Sequence, residues 1–222
     1  MIFNLLAPFA NEFAAFNLLR YHTFRAGAAC MTALVICLLF GRVIIEWLRT
    51  FQPHGQPIRA DGPESHLLTK KGTPTMGGVM ILLALVVSTL LWADLRSGFV
   101  WAVLAVTIGY GALGFADDWL KVTKRNTKGV SGRMKLLVQA GLGLVVAYWL
   151  NELTPDPIAD RLALPVFKDV LIPFWVFFPL VGTLVMMGSS NAVNLTDGLD
   201  GLAIVPVMIA AAVFALIAYL VG

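Results

Sequence analysis

Six long, mostly apolar runs dominate the chain, at residues 24–48, 76–93, 99–115, 135–150, 171–188 and 202–220. A helix needs about 20 mostly apolar residues to cross the hydrocarbon core of a bilayer, and these runs approach or exceed that length. Membrane barrels are built instead from short strands of alternating polarity, and no such alternation is present here. With 59% hydrophobic and 13% charged residues and a mean hydropathy of +0.82, the composition also departs from that of a soluble domain. The expected fold is therefore an all-α integral membrane protein, a polytopic helical bundle with about six transmembrane helices. Residues 1–222 read as a single transmembrane domain.

Residues 1–23 lack the basic start and small-residue cleavage site of a signal peptide. Phe9, Phe13, Phe16 and Leu19 recur between polar positions, which suggests a short helix lying in the membrane interface. Cys30 and Cys37 are two turns apart on one face of the first span, too distant for a disulfide; they read as small packing residues.

Basic residues accumulate on the cytoplasmic side of a membrane protein. The first connection holds Arg49, Arg59, Lys70 and Lys71, and the third holds Lys121, Lys124, Arg125, Lys128 and Arg133, with Lys135 at its edge. The second holds Arg96 alone, and the fourth holds Arg161 and Lys168. The odd-numbered connections are thus assigned to the cytoplasm. The fifth carries no basic residue, and its side follows from counting spans. In the fourth connection, "RLALPVF" could form a short strand pair. The net charge of +3 suits contact with anionic lipid headgroups and requires no nucleic acid.

The three cytoplasmic connections carry the polar clusters. In "GFADDWLK", Asp117 and Asp118 stand at the inner, C-terminal end of the third span. Helix dipole and mutual repulsion both disfavour two adjacent carboxylates there. A cation must compensate. Lys121, at i+4 and i+3, supplies one locally; a divalent metal with phosphate, or a reacting hydroxyl, is the other reading. In "KKGTPTMGG", Lys70 and Lys71 precede a turn that opens the second span, with Thr75 as a cap. The inward helix N-terminus and the lysines suit phosphate, although a capped helix with flanking lysines explains the same residues. In "NAVNLTDGLDG", Asn191, Asn194, Asp197 and Asp200 recur every three residues. That spacing drifts round an α-helix, so the segment reads as a helix end, a turn at Gly198 or Gly201 and a new helix start. Its side chains can bind a base, sugar or metal, or merely cap. Glu46 can pair with Arg42 or Arg49, and His54 and His66 have no metal-ligand spacing.

These three clusters, together with "SGRMKLL" and "DGPESH", closely resemble the phospho-N-acetylmuramoyl-pentapeptide transferase family. That family belongs to the polyprenyl-phosphate N-acetylhexosamine-1-phosphate transferases, and the resemblance runs from about residue 20 to the end of the chain. It implies a Mg²⁺-dependent enzyme of the bacterial inner membrane acting at the cytoplasmic face. The reaction it implies passes phospho-MurNAc-pentapeptide from UDP-MurNAc-pentapeptide to undecaprenyl phosphate, giving lipid I and UMP. By motif, Asp117 and Asp118 are the acidic pair, with Asp117 the candidate to deprotonate the lipid phosphate. Lys70, Lys71 and Thr75 would line the nucleotide side, and Lys121 and Lys135 would contact phosphates. Asn194, Asp197 and Asp200 match nucleotide- and metal-proximal positions, with Asp197 the metal-ligand candidate, and Asn191 joins the substrate-binding set with them. Family members often form homodimers, though no residue here requires it.

The family has about ten spans, and two of its later motifs, Gly-Asp-x-Gly-Ser and a His-rich loop, are not found in these residues. The chain is expected to be a C-terminally truncated portion, inactive alone. A sister transferase using UDP-GlcNAc is one rival. A transporter would place its charges at mid-span, whereas here they gather at one face. A structural scaffold would make Asp118→Asn silent. A prenyl synthase with a DDxxD motif conflicts with Lys121 at the last position.

Overall fold

In hydrocarbon every backbone N–H and C=O must be bonded within its own segment, so long apolar runs become helices. The computed structural model describes residues 1–53, 55, 74–125, 127–163, 170–197 and 201–221. Seven α-helices lie in these residues: α1 (Ile2–Leu6), α2 (His22–Phe51), α3 (Gly78–Trp92), α4 (Gly98–Thr123), α5 (Gly132–Leu153), α6 (Phe178–Thr196) and α7 (Ile204–Val221). A small antiparallel pair joins β1 (Arg161–Ala163) to β2 (Leu171–Pro173).

Among the described residues, five helical segments are long and apolar enough to cross a membrane: His22–Phe51, Gly98–Thr123, Gly132–Leu153, Trp175–Thr196 and Ile204–Val221. The run at 76–93 forms a shorter apolar helix of 15 residues, about 22 Å long. Its ends are trimmed because Met76 sits at φ 71° and Ala93 is extended. The expected span at 171–188 also starts later. Residues Leu171–Pro173 are strand β2, and a 3-10 turn, Trp175–Phe177, precedes α6. Pro179 occupies the first turn of α6, where its missing N–H costs nothing. The strand pair of the fourth connection forms, but its second strand lies beyond "LPVF". Cys30 is exposed on the α2 surface rather than packed.

The chain divides into two compact units, residues 1–138 and 139–222. In the first, α2 and α3 run antiparallel. Trp92 Nε1 donates to Thr32 Oγ1 at 2.9 Å near one end, and Gln52 grips Thr75 at the other. Midway, a Cβ on Gly41 would meet Met80 Sδ at 3.4 Å. Helix α4 runs back along α3, so closely that a Cβ on Gly111 would fall 2.7 Å from Leu82 Cδ2. Small residues permit such approach between membrane helices. One consequence is that Gln52, Thr75 and Asp118 come to the same end of this unit.

The opposite end is closed by the N-terminal residues. They form α1 and two 3-10 turns, Ala7–Asn11 and Ala14–Arg20, not one continuous helix. Asn4 donates to Asp94 Oδ1 at 2.7 Å and accepts the Leu95 N–H at 3.0 Å. The Arg25 guanidinium lies 4.1 Å over the Phe3 ring.

In the second unit, the rest of α5 and α6 are antiparallel. A Cβ on Gly182 would stand 3.1 Å from Ala147 Cβ, and Asn191 donates to Gln139 Oε1 at 2.8 Å. At the far end, Asn151 Oδ1 accepts the Asp160 N–H at 3.0 Å. The Asp160 carbonyl then accepts the Phe174 N–H at 2.7 Å, anchoring the hairpin.

Candidate functional site

Asp117 lies on α4 with only 5% of its surface exposed. A carboxylate so placed must be paired, because burying an uncompensated charge costs several kcal/mol. It has three donors. Lys121, one turn further along α4, reaches Oδ2 at 2.6 Å. Lys135, from the first turn of α5, reaches the same oxygen at 2.7 Å. The Val130 N–H donates to Oδ1 at 2.7 Å.

Asp118 is the more open of the two, its side chain 32% exposed. Its Oδ1 receives Lys121 at 3.0 Å, and its Oδ2 receives the Thr75 hydroxyl at 3.0 Å. All four carboxylate oxygens therefore have protein donors, and two ammonium groups balance two carboxylates.

The local pairing through Lys121 is as its spacing predicts. The helix dipole does not act on the pair as expected from its place at the end of the span, however. Helix α4 continues to Thr123, so the pair stands more than a turn from its end, where the dipole effect has faded. The lysines set the local field. Lys135 enters as a direct partner of Asp117, and only the turn between α4 and α5 brings it there.

That turn depends on Gly129, which has φ +56°. A Cβ there would collide with Asp117 Oδ1 and stand 2.9 Å from its Cγ. The absent side chain lets the backbone approach the carboxylate and deliver the Val130 N–H.

Thr75 does not cap α3. The cap position is Gly77, without a side-chain bond, and the Thr75 hydroxyl is directed to Asp118 instead. The residue that holds Thr75 is Gln52, which sequence reasoning missed. It is 4% exposed, and one polar residue at the end of an apolar helix carries no signal until its partner is known.

In the second unit, the Asn191 amide group donates to Gln139 Oε1 and to the Met187 carbonyl, both at 2.8 Å. Asn194 is exposed on the last turn of α6. Asp197, also exposed, is the residue after the helix, its N–H bonded to the Val193 carbonyl at 3.1 Å. Gly201 has φ +83°, and α7 begins at Ile204. The helix end, turn and new helix start are as the three-residue spacing predicts. Lys70, Lys71 and Asp200 lie outside the described residues, as do His54 and His66.

Among the described residues, no group of three or more His, Cys, Asp or Glu side chains assembles around a common point. Mg²⁺ does not require one. It commonly takes one or two carboxylates, several waters and the phosphates of a substrate. Asp118 fits that role by its hard oxygen donors and its partial exposure, whereas Asp117 is enclosed by its own donors.

Residues 100–222 match the model of glycosyl transferase family 4. Residues 70–82 match the phospho-N-acetylmuramoyl-pentapeptide-transferase signature 1. The phospho-N-acetylmuramoyl-pentapeptide-transferase of Granulibacter bethesdensis is 65% identical over 222 residues, covering 100% of this chain and 61% of the relative. The protein of the same name from Gluconacetobacter diazotrophicus is 60% identical over 206 residues, covering 93% of this chain and 57% of the relative. That from Gluconobacter oxydans is 55% identical over 223 residues, with 100% and 61% covered. The chain thus spans 57–61% of the length of these curated relatives. With the family model extending over more than half its residues, the chain belongs to glycosyl transferase family 4.

Proposed function

We propose that the chain forms part of a phospho-MurNAc-pentapeptide transferase. The enzyme moves phospho-MurNAc-pentapeptide from UDP-MurNAc-pentapeptide to undecaprenyl phosphate at the cytoplasmic face of the bacterial inner membrane. The observation that carries this reading is the acid pair: two adjacent aspartates at one end of their unit, bridged by Lys121, with Lys135 on Asp117 and Thr75 on Asp118. The names of the relatives support the choice of substrates.

An oxygen of the lipid phosphate attacks the sugar-bearing phosphorus of the nucleotide. The bond from that phosphorus to the bridging oxygen breaks, and UMP leaves with the electron pair. Both reactants are polyanions, so the ammonium groups of Lys121 and Lys135 are the natural partners of the incoming phosphates. Lys121 and Lys135 share Asp117 Oδ2, so that oxygen is released once both have turned to phosphate. Asp117, freed in this way, accepts the proton of the lipid phosphate. Bound Mg²⁺, held by Asp118, would neutralise charge on the transferring phosphoryl group. Asn194 and Asp197 act on the nucleotide side, together with Lys70, Lys71 and Asp200. An acceptor that never leaves the bilayer accounts for chemistry built on membrane helices.

The test is transfer by the full-length protein in mixed micelles with undecaprenyl phosphate, Mg²⁺ and either UDP-MurNAc-pentapeptide or UDP-GlcNAc. Lipid I and UMP form only with the first donor, and Asp118→Asn lowers the rate by about 100-fold or more. Equal use of UDP-GlcNAc, or full activity of Asp118→Asn, overturns the reading.

A further inference from the structure

We propose that Gln52 is a positioning residue for the acid pair, acting through Thr75. What Asp118 does rests on the transfer reaction above; what Gln52 does rests on its hydrogen bonds alone. Gln52 follows the last turn of α2 and is buried. Both ends of its amide are engaged by one residue. Oε1 accepts the Thr75 N–H at 2.8 Å, and Nε2 donates to the Thr75 carbonyl at 3.3 Å. Nε2 also lies 3.7 Å from Met76 Sδ.

Two opposed bonds to the N–H and C=O of one residue mimic a strand partner and remove backbone freedom at Thr75. The next residue, Met76, has φ 71°, a left-handed conformation that costs a non-glycine residue roughly 1–2 kcal/mol and persists only where neighbours hold it. With its backbone held from both sides, Thr75 keeps only its side-chain torsion free. Its hydroxyl is then aimed at Asp118 Oδ2, 3.0 Å away. The chain of support therefore runs from the end of α2, through Thr75, three residues before α3, to the carboxylate on α4. Replacing the amide with an apolar group would leave two half-buried backbone groups of Thr75 without this partner and release the hydroxyl.

The test uses Gln52→Leu, Gln52→Glu and Thr75→Ala in the full-length protein. Hydrogen–deuterium exchange at the Thr75 amide needs no activity, and Gln52→Leu should raise it at least about 10-fold. Transfer at saturating substrates should fall by about 10-fold or more, as expected when a catalytic group is misplaced. Thr75→Ala removes the hydroxyl but keeps the backbone, so adding Gln52→Leu to it should cost no further activity. A purely structural role would lower activity by the same factor in both backgrounds. Gln52→Glu keeps the acceptor for the Thr75 N–H and should retain part of the protection; it carries the test if Gln52→Leu does not fold. Wild-type exchange in Gln52→Leu, or an undiminished effect in the Thr75→Ala background, overturns the inference. If the wild-type protein transfers nothing, the reading of the reaction falls, and the exchange measurement still decides the role of Gln52.

Discussion

Lys135→Met gives the sharpest test of how the acid pair is held. Methionine keeps most of the length of the lysine stem and removes the ammonium group. In the native protein that group sits 2.7 Å from Asp117 Oδ2, with only 7% of the Asp117 side chain exposed. A hydrogen bond to a charged group is worth about 1.5–3 kcal/mol. Asp117 would keep Lys121 and the Val130 N–H, so its charge is not orphaned. The loss should therefore stay below the roughly 3–5 kcal/mol expected when a buried ion loses its only partner. Asp117→Asn removes the other side of the pair and leaves two ammonium groups facing a neutral amide. The double variant should be less destabilised than the sum of the two, by a coupling of about 0.5–3 kcal/mol. Unfolding in mixed micelles, measured for the wild type, both single variants and the double variant, yields that coupling directly. Additivity within about 0.5 kcal/mol would mean that Lys135 and Asp117 do not interact in the folded protein, and the described clamp would be wrong.

Two further outcomes follow from the same unit. Gly129→Ala should destabilise the protein by about 1–2 kcal/mol from its left-handed backbone alone, with an added cost from the collision with Asp117. Asp117→Ala should remove that added cost, so equal effects of Gly129→Ala in both backgrounds would refute the close approach. Asp94 supplies a pH dependence. Burial pushes its carboxyl up, but hydrogen bonds from the Asn4 side chain and from the Arg96 backbone and side chain outweigh this and hold it below the ordinary carboxylate value. A depressed folded-state value stabilises above the unfolded pKa of about 3.9, and that stability is lost as pH falls through the folded value. The melting-temperature gap between wild type and Asp94→Asn should thus close as pH drops below about 4; a gap that widens in acid would refute the assignment.

The helical class, most of the spans and the positions of the polar clusters were legible in the residues, because hydrocarbon imposes a length and a polarity that can be counted along the chain. Asp117, Asp118 and Lys121 were legible as a set because they span five residues, and helical spacing alone makes them neighbours. The shortening of α3 was not legible, since it depends on the left-handed Met76 and the extended Ala93 at its ends. The late start of α6 was masked because Leu171–Pro173 are as apolar as a span. Gln52 and Gly129 had no periodic signal at all.

Sequence by itself determined that this chain lives in a membrane and that its paired acids face Lys121, because both follow from local spacing and solvent transfer. Tertiary structure decided which donors each carboxylate receives. Lys135 and Val130 reach Asp117 across the turn at Gly129, and Thr75 reaches Asp118 from a loop that Gln52 holds. Those contacts join residues far apart along the chain, and their geometry exists only once antiparallel helices have set the distances between them.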